Sequence, residues 1–172
     1  MVFLKCTRAV LRRARLKKEH LCAATSSDAL LGNWYVTLAR IEGRNAFIYM
    51  SERSLLTFLM LEGERIDPQK LSGVLHFGLG QTLSFDSVPR ADMARAQADC
   101  AAGMFTAADD LSLLGTLTNL VEDYRFFIEN DGGLNRCNIS AIVRDINSKP
   151  HRRLGFQTPY QVTGQLLQSV AT

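Results

Sequence analysis

Two adjacent runs, Trp34–Ile41 and Ala46–Met50, are rich in β-branched and aromatic residues, and they constrain the fold more than any other feature. Such side chains suit a pleated, half-buried surface. Glu42-Gly43-Arg44-Asn45 supplies a turn between the runs, and Gly32-Asn33 breaks the chain just before them. The segment reads as a β-hairpin with Trp34 substantially buried. Upstream, Val2–Thr7 is a short β-capable run. A helical pattern over about 8–21 follows it, with Thr7 as cap and Val10, Leu11, Ala14 and Leu21 on one face.

Beyond the hairpin the signals turn helical. The run Ser54–Leu61 fits either a strand or a helix. Asp67-Pro68 is an N-cap followed by proline at the first helical position, ahead of Leu71, Val74, Leu75 and Gly78. Residues 90–108 carry eight alanines and no strong core pattern, and are expected to form a loosely packed helix or an excursion. Asp109-Asp110 starts a helix to about Glu129, with Leu114, Leu117, Val121, Tyr124 and Ile128 as its buried stripe. Asn130-Asp131-Gly132-Gly133 ends it, Asn138 caps the next helix, and Thr158-Pro159 opens the last. The expectation is one α+β domain over residues 1–172. A small antiparallel sheet, made of the N-terminal strand and the 34–50 hairpin, packs with several helices, and the part from about 109 is mainly helical.

Hydrophobic residues make up 47% and charged residues 22% of the chain, which excludes a disordered or collagen-like chain. The longest uncharged apolar stretch, Leu71–Phe85, is too short to span a bilayer, which takes roughly 20 residues. The four cysteines, at 6, 22, 100 and 137, lack the close spacing of zinc or redox pairs and are expected to be reduced, in a cytoplasmic protein. The first 27 residues, rich in arginine with a single acid, also have the composition of a mitochondrial presequence, but Met1–Thr7 fits a first strand better.

Charge is more informative than its total of +3. Residues 1–20 hold seven bases against Glu19, a net of +6; residues 51–111 come to −4, and residues 144–153 to +3. Clustered positive charge attracts phosphates and acidic surfaces. Arg8, Arg12 and Arg15 recur at i, i+4 and i+7, and Lys149, Arg152 and Arg153 surround Pro150, Gly155 and Phe156. These six cations are the candidate nucleic-acid contacts, with Phe156 either facing a base or packing inward.

Catalytic signals are weaker. No serine or cysteine sits in a nucleophile motif, and no two His or Cys stand at i, i+3 or i+4 for a metal. The G-x-G of His76–Leu83 lacks the third glycine of a dinucleotide fingerprint. The acid pairs Asp109-Asp110 and Glu122-Asp123 read as helix-start and surface charges. No catalytic residue, cofactor or metal is assigned.

Residues 146–162, which include Asn147, Pro150, Arg152, Leu154-Gly155 and Thr158-Pro159, resemble the C-terminal end of insertion-sequence transposases of the retroviral-integrase type. Such transposases need three catalytic acids on a ribonuclease-H-like core, and nothing upstream offers them, so this likeness is local. A broader resemblance, in order along most of the chain, is to a family of uncharacterised bacterial proteins found among chromosomal, plasmid and phage genes. It rests on Cys6-Thr7, Gly32-Asn33-Trp34, Gly115–Asn119, Gly132-Gly133-Leu134 and the terminal run Asn147, Pro150, Leu154, Gly155, Phe156 and Pro159. The resemblance implies an α+β domain and carries over no activity.

The expectation is therefore a non-catalytic protein that engages DNA, RNA or an acidic protein surface through its basic clusters, without a membrane. The alternatives are a protein–protein inhibitor or regulator, and a small enzyme on a phosphate-bearing substrate with His76 or His151 as acid/base.

Overall fold

The computed structural model describes residues 1–23 and 25–169. Strands β1 (Val2–Cys6), β2 (Trp34–Ile41), β3 (Arg44–Ser51), β4 (Thr57–Leu61) and β5 (Gly103–Ala107) form one sheet in the order β4-β3-β2-β1-β5. The hairpin is present and Trp34 is fully buried. Its turn is tighter than expected: Ile41 pairs with Arg44, leaving Glu42 and Gly43 at φ 46° and 79°. Positive φ at both central residues suits the twist of the flanking strands, so Arg44 and Asn45 join the ladder.

The sheet is mixed and wider than the expected antiparallel one. β1 lies parallel to both β2 and β5, while β2, β3 and β4 are antiparallel. Residues 7–33 are long enough for the crossover of about a dozen residues or more that a parallel pair requires. The first helix, α1, covers only Arg8–Arg13, and Thr7 makes no side-chain cap. Two capping bonds end it: the Leu16 amide donates to the Leu11 carbonyl at 2.9 Å and the Arg15 amide to the Arg12 carbonyl at 3.3 Å. Arg15 takes the left-handed φ of 56° that such a cap requires, and the chain reaches the β5 edge, where the Cys22 amide donates to the Phe105 carbonyl at 2.9 Å.

Helix α2 (Pro68–Ser84) starts at the expected Asp67 cap. It covers the sheet face that carries Trp34, Tyr49 and Phe58: the Tyr49 hydroxyl donates to the Leu71 carbonyl at 3.0 Å. Residues 90–108, expected as helix or excursion, divide into α3 (Arg90–Asp99) and the edge strand β5. Gly103 begins that strand because a Cβ there would lie 2.3 Å from Leu4 Cδ1; close packing, not a turn, accounts for this glycine.

Helix α4 (Leu111–Asn130) crosses the opposite face, which carries Tyr35, Ile48 and Thr57, and its Tyr124 hydroxyl meets Thr57 Oγ1 at 3.3 Å. Its buried stripe contains Leu113 and Leu120 in addition to Leu117, Val121, Tyr124 and Ile128, while Leu114 is half-buried. Helix α5 (Ile139–Asn147) lies against β4, where the fully buried Asn147 amide accepts from Thr57 N at 2.9 Å and donates to Thr57 O at 2.7 Å. Asn147 thus pairs with the outer edge of β4 as another strand would. Helix α6 (Pro159–Gln168) joins α2 and α3 through Tyr160 and Arg95, and Thr158 with Gln161 forms its capping box. The protein is α+β, with its C-terminal half helical.

Candidate nucleic-acid interface

A polar stripe on α4 faces the C-terminal basic loop. Ser112, Thr116, Asn119 and Asp123 follow one another at spacings of 4, 3 and 4, which places them on a single side of α4. Arg153 Nη1 donates to Ser112 Oγ, and Lys149 Nζ lies 3.6 Å from Asp123 Oδ2. Between stripe and loop lies a cavity of about 140 Å³, floored by Met50, Leu55, Leu120 and Ile146, with Asn119 and His151 among its polar lining.

The loop itself is closed and strained. His151 N donates to the Gln157 carbonyl and Phe156 N to the His151 carbonyl, both at 3.0 Å. Arg152–Leu154 make a single 3₁₀ turn, after which Gly155 and Phe156 both take left-handed conformations, at φ 62° and 64°. Glycine adopts that region freely, whereas a bulky residue held there costs roughly 1–3 kcal/mol. Phe156 is 72% exposed, three residues along the loop from Arg153. Of the two readings of Phe156, the structure shows the outward one.

The six expected cations do not form one cluster. Arg152 is exposed and has no side-chain partner among the described residues, Arg153 is exposed but tied to Ser112, and Lys149 is held by Asp123 and the Phe127 ring, 5.2 Å from its centroid. Arg8, Arg12 and Arg15 are exposed without side-chain partners among the described residues. Their helix is tied to the other sheet face: its Arg13 grips Glu62 through Nε and Nη2 at 2.9 Å, and Glu62 also accepts from Asn45, which shares a face with Phe47 and Tyr49.

Two bases of the N-terminal cluster are tied to acids. Arg13, half-exposed, is one. Lys5 is the other, only 7% exposed, with Nζ 3.2 Å from Asp109, 3.4 Å from the Tyr35 hydroxyl and 3.5 Å from Glu52. Burial pulls the Lys5 pKa down, but Asp109 and Glu52 outweigh it and hold Lys5 above its ordinary value. Asp110 is the helix cap the sequence suggested, accepting from Ser112 N and Leu113 N, while Asp109 belongs to the Lys5 cluster.

The two histidines weighed as acid/base groups differ in setting. His76 Nδ1 lies 3.1 Å from the Gln97 carbonyl, and Gln97 Nε2 donates back to the His76 carbonyl, which joins α2 to α3. His151 Nδ1 accepts from Arg153 N at 3.3 Å. Burial, then Arg153 and Lys149, hold His151 below its ordinary pKa against the pull of Asp123. All four cysteines are free thiols. No group of three or more potential metal-binding side chains gathers among the described residues, and no helix there is long and apolar enough to cross a membrane.

The fold and its loop-and-stripe surface define an α+β domain built on a mixed five-stranded sheet. The chain belongs to a family described as a domain of unknown function, DUF6933, whose model matches residues 3–162. Among curated proteins, none matches the sequence.

Proposed function

We propose that the protein binds single-stranded nucleic acid, without catalysis, through the 149–156 loop. The observation that carries the reading is Phe156, a large aromatic residue exposed to solvent on a strained backbone, in the same loop as Arg152 and Arg153. A buried core would have been the cheaper place for that ring. Outward, it offers a face on which an unpaired base can stack, and the arginines supply the charge that holds the neighbouring phosphates. Duplex DNA keeps its bases stacked and gives such a ring nothing to meet.

Fluorescence anisotropy with a labelled single strand tests this. Stacking on an aromatic side chain contributes about 1–3 kcal/mol per base, so Phe156→Ala should weaken binding by about 5-fold or more. Arg152→Ala should reduce the slope of log K against log salt by about 0.7. Single- and double-stranded DNA and RNA that all fail to bind at low salt would overturn the proposal and favour an acidic protein surface as partner.

A further inference from the structure

We infer that the cavity between the α4 stripe and the loop receives one unpaired base of the bound strand. The inference rests on the nucleic-acid reading of the loop and adds a second contact to it. At about 140 Å³ the cavity is well below the roughly 300–1,000 Å³ of sites for drug-sized ligands, which suits a single heterocycle rather than a whole nucleotide. Its walls have the two characters a base requires. Met50, Leu55, Leu120 and Ile146 give apolar surface for the ring faces, and Pro150 and Pro159 add more. Asn119 and His151 give polar groups for the ring edge.

Those polar groups are free to act. The Asn119 amide has no hydrogen-bond partner among the described residues and offers both a donor and an acceptor. His151 Nδ1 is occupied as an acceptor by Arg153 N, which leaves Nε2 to carry the proton as a donor. Thr116 Oγ1 spends its proton on the Ser112 carbonyl at 3.2 Å and keeps its lone pairs. Lys149 and Asp123 in the lining offset each other, so the charge left for a nucleotide strand is Arg153, fastened to Ser112, and Arg152, which has no side-chain partner among the described residues. The bound strand joins a base in the cavity, whose wall includes Lys149, Pro150 and His151, to phosphates on Arg152 and Arg153 and a second base on Phe156 further along the same loop.

The test compares a ten-nucleotide single strand with the same strand carrying abasic positions, against the wild-type chain, Asn119→Leu and Thr116→Phe, the last of which fills the cavity. The wild-type chain should bind the intact strand about 10-fold more tightly than the abasic one, over and above the loss seen with Phe156→Ala. Both cavity variants should lower that ratio, and Phe156→Ala should leave part of it in place. In parallel, uridine and adenosine added without phosphate should shift the Asn119 side-chain amide resonances of the ¹⁵N-labelled wild-type chain, and Arg152→Ala should not abolish the shift. Oligonucleotide binding that ignores both cavity variants, with no nucleoside shift, would overturn the inference and leave the loop reading intact. Failure of every oligonucleotide to bind, with the nucleoside shift present, would overturn the loop reading instead. Failure of both would remove both.

Discussion

Asn147 does the work of a strand with its side chain. Its amide faces the backbone of Thr57, accepting from the N–H and donating to the carbonyl, and donates again to Val143 O at 2.9 Å. Without it, two backbone groups on a buried edge strand lose their partners, and each such group costs about 1–3 kcal/mol. Asn147→Ala should therefore lower the unfolding free energy by about 3 kcal/mol in urea titration. Asn147→Asp should do no better, since a carboxylate cannot donate to Thr57 O. A loss under about 1 kcal/mol for both variants would show that water or a backbone shift replaces the pairing. The sequence showed Asn147 within the terminal run but not its partner, which stands 90 residues away. Lys5 was opaque for the same reason. It counted as one more base in a basic stretch until Tyr35, Glu52 and Asp109 were brought around it.

At the level of elements, most of what could be read depended on local pattern, although the Thr7 cap and a helix over about 8–21 were local readings that the structure corrects. The hairpin, the Asp67-Pro68 start, the Asp110 and Asn138 caps and the capping box of α6 are all local devices, and each is in place. The parallel pairing of β1 and the existence of β5 depend on distant neighbours, and local propensity says nothing of them. The α4 stripe was within reach. Ser112, Thr116, Asn119 and Asp123 keep the helical period, beside the apolar stripe that dominates the pattern of that helix.

Glycine in α2 gives a further contest between local and tertiary effects. Gly78 sits over the Phe58 ring, and a Cβ there would lie 2.3 Å from Phe58 Cε2. That ring is itself stacked on Tyr49 at 4.8 Å and has little room to move. Alanine favours a helix over glycine by about 1 kcal/mol, whereas overpacking costs about 1–3 kcal/mol. The clash should win, so Gly78→Ala is expected to lower the thermal midpoint. Gly73, in the same helix, has nothing within 4 Å of a Cβ, so Gly73→Ala should raise it. Equal shifts of the same sign would mean that α2 slides on the sheet to absorb the methyl group.

For the molecule as a whole, the arrangement of charge separates what the sequence had joined. The clusters at residues 1–20 and 144–153 read as one anionic-partner surface, yet α1 is tied through Arg13 and Glu62 to one face of the sheet and Arg153 through Ser112 to the helix on the other. A short strand lying on the loop has the sheet between it and α1. With a five-nucleotide single strand, Arg152→Ala/Arg153→Ala should lower the slope of log K against log salt by about 1.4, counting about 0.7 for each lost phosphate contact. Arg8→Ala/Arg12→Ala/Arg15→Ala should leave that slope and the affinity as they are. With a strand of thirty nucleotides, long enough to pass around the edge of the domain, the α1 variant should lower the slope as well, because the second cluster then acts on a tethered ligand at high effective concentration. The comparison of lengths decides between two separate surfaces and one. If the α1 variant weakens the five-nucleotide complex as much as the loop variant does, the two clusters reach the same phosphates and the separation by faces is wrong.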